Sequence, residues 1–231
     1  MTPLDSAMIR AVVIDVDDTL CLTEAVCFAL ENEVLSLIGA AAIERAVHRA
    51  TWGQPLLTAL PIRSPGVDLA RFVSAYPAVL GRYVAEGRLD AIVPENLTAL
   101  DDLAAAGRDV YVLTSRTEEE LRHLLDPAHA LANRVRGVFH ADNTDFGKPD
   151  PRAFDEFLAE TGFCPSDCVY VGDSPGDADA ALGAGLRFIA CLQSGVRSRA
   201  DFAGRAVDAY IPSFPDVVTA VAALELHATA T

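Results

Sequence analysis

Four clusters of polar residues carry the chemistry open to this chain. The first is Asp15-Val-Asp17-Asp18-Thr19-Leu20 and the second Thr114-Ser115-Arg116. The third is Gly147-Lys148-Pro149, and the fourth Gly172-Asp173-Ser174 followed by Asp177. Ionised carboxylates can attack phosphorus or gather around a hard divalent cation. An ammonium group is a compact point charge for an oxyanion. Hydroxyl and backbone N–H groups can bind the same oxygens. Lys148 is the single lysine among 18 Lys and Arg residues. A bias towards arginine accounts for the ratio, but not for where the one lysine stands.

Each cluster alone has a plainer explanation. Asp15 and Asp17 would pass for a solvated strand-end turn, and Asp177 for the acidic start of a helix. Neither acidic segment has EF-hand spacing with glycine at its sixth position. His48, His123, His129, His140 and His227 share no spacing that suggests a triad or a metal site. Gly183-x-Gly185 lacks the third glycine and the preceding strand of a dinucleotide loop. The clusters gain weight from where they fall together.

Each follows, or lies near, a short apolar run rich in β-branched residues. Strands are expected at 11–15, 110–114, 137–140, 168–172 and 187–191, with 209–211 as an edge strand. The runs are continuously apolar, as in strands covered on both faces. Helices are expected between them at 95–106, 117–125, 151–161 and 176–184, the second opening on a Thr117–Glu120 capping box. Alternating β and α predicts a doubly wound parallel, Rossmann-like α/β sheet, in which ligands bind beyond the carboxyl ends of the strands. All four clusters lie at such ends. Residues 22–91 break the alternation: they hold no convincing strand and read as amphipathic helices interrupted at Gly53-Gln-Pro55, Pro61, Ser64-Pro-Gly66 and Pro77. The expected division is a core of 1–21 and 92–231 with a helical insertion at 22–91.

With 231 residues, 51% of them hydrophobic, the chain can bury one sizeable core and a smaller satellite. A formal charge of −15 repels nucleic acid and anionic lipid, so neither is expected as a partner. A phosphorylated ligand would need local positive charge from a cation, a basic side chain or backbone N–H groups. Cys21, Cys27, Cys164, Cys168 and Cys191 form no Cys-x-x-Cys pair and read as reduced thiols. No apolar run near the start is long enough for a signal core or a membrane span. A cytoplasmic protein is expected.

The ordered set Asp-x-Asp-x-Thr-Leu, then Thr114, then Lys148-Pro149, then Gly172-Asp173-x-x-x-Asp177 resembles the haloacid dehalogenase-like superfamily of phosphohydrolases. The insertion between the first two motifs resembles its members with a helical cap there, of the phosphoglycolate phosphatase type. The resemblance spans residue 11 to about residue 185. It implies Mg²⁺ as cofactor, Asp15 as nucleophile and Asp17 as general acid and then base. It implies Lys148 as the neutralising charge, with Thr114 Oγ1 and the Ser115 N–H on a phosphoryl oxygen. Asp15, Asp173 and the Asp17 carbonyl would hold the cation, with Asp177 a water-mediated ligand or an orienter. Thr19, Arg116, Arg49, Trp52 and Gly53 are candidate substrate contacts, the last in a loop similar to a substrate-touching cap loop. Arg45, His48 and Arg63 lie near them. Asp18 replaces the glycine usual in the family. Asp17 argues against a dehalogenase, and the lack of lysine in the insertion argues against phosphonate cleavage by a Schiff base. A small phosphorylated metabolite is the implied substrate. A sugar-phosphate mutase and a catalytically silent phosphometabolite-binding module remain the alternatives.

Overall fold

The computed structural model describes residues 8–52, 54 and 56–228. Among the described residues, six parallel strands form one sheet: β1 (Ala11–Ile14), β2 (Asp109–Leu113), β3 (Gly137–Phe139), β4 (Cys168–Gly172), β5 (Arg187–Cys191) and β6 (Ala209–Ile211). Their order is β3-β2-β1-β4-β5-β6. β1 and β4 are buried along their whole length, which explains their unbroken apolar sequences. Ala11 pairs with Asp109 on one side and with Cys168 on the other. That register sets Ile14 beside Val171, so β1 and β4 end within one residue of each other.

The chain divides into two compact units, with cuts between Leu20 and Cys21 and between Ala91 and Ile92. The helical unit, Cys21–Ala91, contains α1 (Thr23–Ile38), α2 (Arg45–Ala50), α3 (Leu56–Arg63) and α4 (Leu69–Ala85). The sheet unit carries α5 (Pro94–Ala105), α6 (Asp155–Thr161), α7 (Pro175–Gly183) and α8 (Val217–Ala228). α5 starts with Pro94 at its first turn and Glu95 beside the helix N-terminus, a favourable opening on both backbone and charge grounds. The side chain of fully buried Asn96 donates to the Leu20 carbonyl at 3.1 Å. It thereby ties the start of α5 to the chain just beyond β1.

On one face of the sheet, Val13, Tyr170 and Phe188 pack against Phe154, Phe157 and the small residues Ala178, Ala180 and Ala181. Alanines on α7 let that helix lie close to β4 and β5, which positions its N-terminus. The Phe157 ring meets Tyr111, Phe139 and Phe163 at centroid distances of 5.2, 5.5 and 6.3 Å.

Two expected elements differ from the sequence reading. Residues 118–134 form turns, where a helix was expected over 117–125. The capping contacts do form: Glu120 Oε2 accepts from Thr117 N at 2.8 Å and from its Oγ1 at 2.9 Å. Leu121 N is then shared between the carbonyls of Thr117 and Glu118, both at 3.1 Å, and the ladder does not regularise. Three successive glutamates followed by Pro127 leave too short a stretch for helix propagation to offset nucleation. The second difference lies over 151–161, where a 3₁₀ turn (Pro151–Phe154) precedes α6. No disulfide joins any of the five cysteines. Among the described residues, no helix is long and apolar enough to cross a membrane.

The helical unit has an apolar core of Leu30, Val34, Leu35, Ile43, Leu60, Phe72, Val79 and Tyr83. Beside it runs a buried ionic seam. Glu24 and Glu31, two turns apart on α1, face His48 of α2, whose Nδ1 lies 2.6 Å from Glu24 and whose Nε2 lies 3.3 Å from Glu31. Arg63, 4% exposed, donates to both Glu31 oxygens at 2.6 and 2.8 Å and to Thr51 Oγ1 at 2.8 Å. His48 and Arg63, whose orientation the sequence left open, are internal and join three helices. Removing one partner of a buried pair strands the other charge. Arg63→Met is therefore expected to destabilise this unit by about 3–5 kcal/mol. Urea denaturation followed by fluorescence of Trp52, the single tryptophan, measures it.

Candidate active site

Order 3-2-1-4-5-6 places the topological switch between β1 and β4, where adjacent crossovers leave on opposite faces and open a crevice. Asp15 stands one residue past β1. Its N–H donates to the Val171 carbonyl at 2.9 Å, and the residue is 5% exposed. Asp173 stands one residue past β4. Next, the chain turns into α7 through a capping box, in which Asp177 N donates to Ser174 Oγ while Asp177 Oδ2 accepts from Ser174 N. Gly172 permits this turn: a β-carbon there would fall 2.7 Å from Asp177 Cβ and Cγ.

Lys148 closes the cluster. Its Nζ donates to Asp15 Oδ1 at 2.8 Å and to the Tyr170 hydroxyl at 2.8 Å, and lies 2.7 Å from Asp177 Oδ1. Tyr170 in turn donates to the Leu113 carbonyl at 2.9 Å. Carboxylate oxygens of Asp15, Asp173 and Asp177 all lie within 4.8 Å of one another. When all are ionised, three carboxylates and one ammonium leave a local charge of −2, which a divalent cation would balance. Oxygen donors at this spacing suit a hard cation such as Mg²⁺.

The electrostatics agree. Burial, moderated by Lys148 and reinforced by Asp177 and Asp17, lifts the Asp15 carboxyl to about 7. Burial, with Asp177, Asp15 and Asp18 adding to it, raises Asp173 well above the carboxylate range. Burial would lower Lys148, but Asp15 and Asp177 outweigh it and hold the ammonium charged. These carboxylates are crowded for a protein without a cation and suitably arranged for one with it.

Asp17 forms a bidentate pair with Arg116. Nε lies 3.2 and 3.0 Å from its two oxygens, and Nη2 lies 2.6 Å from Oδ1. Asp18 adopts φ 57°, in the left-handed region, which aspartate tolerates better than most side chains. Thr19 is fully buried, and its hydroxyl has no hydrogen-bond partner among the described residues. Thr114, just past β2, is 4% exposed and its Oγ1 accepts from Arg116 N at 3.3 Å, while Ser115 is exposed beside it. Arg49 and Trp52 belong to the helical unit, where Arg49 lies 3.9 Å from Glu24 and the Trp52 ring 5.4 Å from His48. Gly53 lies outside the described residues. Sequence reasoning missed Tyr170, whose phenol was hidden in an apolar strand, and the Arg116–Asp17 pair. It named Ser174 but missed its capping role, although Ser-x-x-Asp at a helix start was a usable signal.

A doubly wound sheet that delivers an aspartate to a lysine and two further carboxylates at its switch point defines a phosphohydrolase-type core. This chain belongs to the haloacid dehalogenase-like hydrolases, whose family pattern matches residues 9–185. It is phosphoglycolate phosphatase-like, a phosphatase with its helical insertion placed after the first strand. It is 30% identical to the phosphoglycolate phosphatase of Xylella fastidiosa over 86% of each chain. It is 31% identical to that of Rhodospirillum rubrum over 78% of each. In fold it resembles the structure of a putative β-phosphoglucomutase from Thermotoga maritima, with a TM-score of 0.71, 20% identity and coverage of 93% and 99% of the two chains.

Proposed function

We propose that this enzyme is a Mg²⁺-dependent phosphatase that hydrolyses a small phosphomonoester through an aspartyl-phosphate on Asp15. The observation that carries the reading is the Lys148 ammonium, which joins Asp15 to Asp177 inside a three-carboxylate cluster. Asp15 and Asp173, with the main-chain carbonyl of Asp17, would hold the cation. Asp177, already engaged by Lys148 and Ser174, would orient the site. Bound there, Mg²⁺ would supply Lewis-acid stabilisation of phosphoryl charge.

A carboxylate oxygen of Asp15 attacks phosphorus as the ester P–O bond breaks, and Asp17 gives the leaving oxygen a proton. Asp17 then takes a proton from the water whose oxygen displaces Asp15 from phosphorus. Lys148 neutralises Asp15 and the transferring oxygens throughout, while Thr114 Oγ1 and the Ser115 N–H bind one of those oxygens. The substrate class rests on the relatives, which are named for phosphoglycolate. In the test, the protein turns over 4-nitrophenyl phosphate and phosphoglycolate with Mg²⁺, is quenched in acid and is mapped by mass spectrometry. Free phosphate together with a labile phosphoryl group on Asp15 is the expected result. Transfer between two hydroxyls of one sugar without free phosphate would indicate a mutase, and binding without turnover a silent module.

Small displacements in this cluster are expected to be costly. Gly172→Ala forces Asp177 from its place and, through it, Lys148. A fall in kcat/KM of about 10²-fold is expected, measured with 4-nitrophenyl phosphate.

A further inference from the structure

Asp17, the proposed proton carrier, has both oxygens engaged by one guanidinium. A side chain held in this way cannot reach a leaving oxygen without opening at least one Arg116 contact. Arg116 is 11% exposed at its side chain and Asp17 36%, so the pair is at the accessible rim of the cluster and not beneath it. Its backbone is anchored on both sides: Arg116 N donates to Thr114 Oγ1, and its carbonyl accepts from Ala141 N at 3.0 Å. The side chain can therefore change partner while its Cα stays next to the proposed phosphate loop. Lys148, 9% exposed, already serves Asp15, Asp177 and Tyr170 and is assigned to the transferring phosphoryl oxygens, so a second anion calls for a different cation. A second anionic group on a substrate would meet repulsion from Asp15, Asp17, Asp18 and Asp173 unless a cation took it up.

The geometry points to Arg116 as an exchange residue. It holds Asp17 before substrate arrives, and swings part of its guanidinium onto a second anionic group of the substrate. This frees an Asp17 oxygen for the leaving group. Alkyl esters without a second anion are turned over more slowly for the same reason, because they leave Asp17 clamped, whereas an aryl oxide such as 4-nitrophenolate departs without its proton. This inference rests on the phosphatase reading and adds to it a selected substrate class: compact phosphomonoesters that carry a second anion, carboxylate or phosphate. A planar fork suits both, because it can divide its N–H groups between two acceptors.

Two matched pairs of compounds test it. Phosphoglycolate is set against 2-hydroxyethyl phosphate, and propane-1,3-diol bisphosphate against 3-hydroxypropyl phosphate; each pair differs in the second anion. The wild-type ratio of kcat/KM, charged over neutral, is expected to exceed ten in at least one pair, and the pair that shows it identifies the anion. Arg116→Gln is expected to lower that ratio at least tenfold, mainly through KM of the charged compound. Arg116→Lys should recover part of it, as a point charge without a fork. Ratios cancel any general loss of folded or metal-loaded protein. A wild-type ratio near one in both pairs, or ratios unchanged in both variants, would overturn the exchange while leaving the phosphatase reading intact. If the wild type releases no phosphate from these compounds or from 4-nitrophenyl phosphate, the phosphatase reading fails and the exchange falls with it.

Discussion

Asp15→Asn is expected to lower phosphate release by about 10⁴-fold or more, the scale of loss when a nucleophile is removed. The amide has nearly the same shape and still offers Oδ1 to Lys148, so the cluster keeps its geometry. What it loses is the anionic oxygen that must bond to phosphorus. The same change should make the metal-free protein more stable near pH 8. Asp15 titrates near 3.8 when exposed and is lifted to about 7 in the fold, chiefly by burial. A carboxyl raised in this way costs nothing below its unfolded value, and its penalty grows as pH rises towards the folded value. In EDTA the variant's melting temperature is therefore expected to exceed that of the wild type at pH 8, with the gap closing by about pH 4. A stable but inactive variant at pH 8 supports the assignment. Lower stability at pH 8, or residual turnover within tenfold of wild type, contradicts it.

Much of the fold was legible because a strand buried on both faces must be apolar at every position. β1, β4 and β5 announced themselves by that rule, and from their number and spacing the doubly wound sheet followed. Asp15, Thr114 and Asp173 were visible as polar residues that end such runs. Their coincidence with the only lysine made Lys148 stand out without any contact being known. What remained hidden depends on pairings far apart in sequence. Arg116 and Asp17 are 99 residues apart, and nothing in either segment selects the other. His48 and Arg63 looked no different from surface residues, because their burial depends on Glu31 reaching them from another helix. Tyr170 reads as one more apolar strand position until Lys148 and the Leu113 carbonyl are seen at its hydroxyl. The turns over 118–134 show the converse error. Local capping chemistry was present and formed its contacts, but it did not decide the segment.

Lys148→Met tests the same cluster from the opposite side and is expected to lower kcat/KM by about 10³-fold. Loss of one preorganised donor at a developing oxyanion costs about 2.7–4 kcal/mol in barrier height. A second loss adds to it: without the ammonium, Asp15 feels burial and the charges of Asp177 and Asp17 unopposed. Its carboxyl then titrates higher still, so less of it is ionised at neutral pH. The acid limb of the pH–rate profile is expected to move upward, which loss of packing alone would not produce. Lys148→Arg should recover little, because three acceptors within 2.7–2.8 Å suit a compact ammonium better than a planar fork. Stability provides a contrast in sign. In EDTA above pH 7, Lys148→Met removes the cation from among three carboxylates and should lower the melting temperature, whereas Asp15→Asn removes one anion and should raise it. Both differences should shrink as falling pH protonates the cluster, and millimolar Mg²⁺ should narrow the Lys148→Met deficit without restoring its rate. Opposite shifts from two residues 2.8 Å apart follow only if surplus negative charge, and not packing, dominates the energetics of this site.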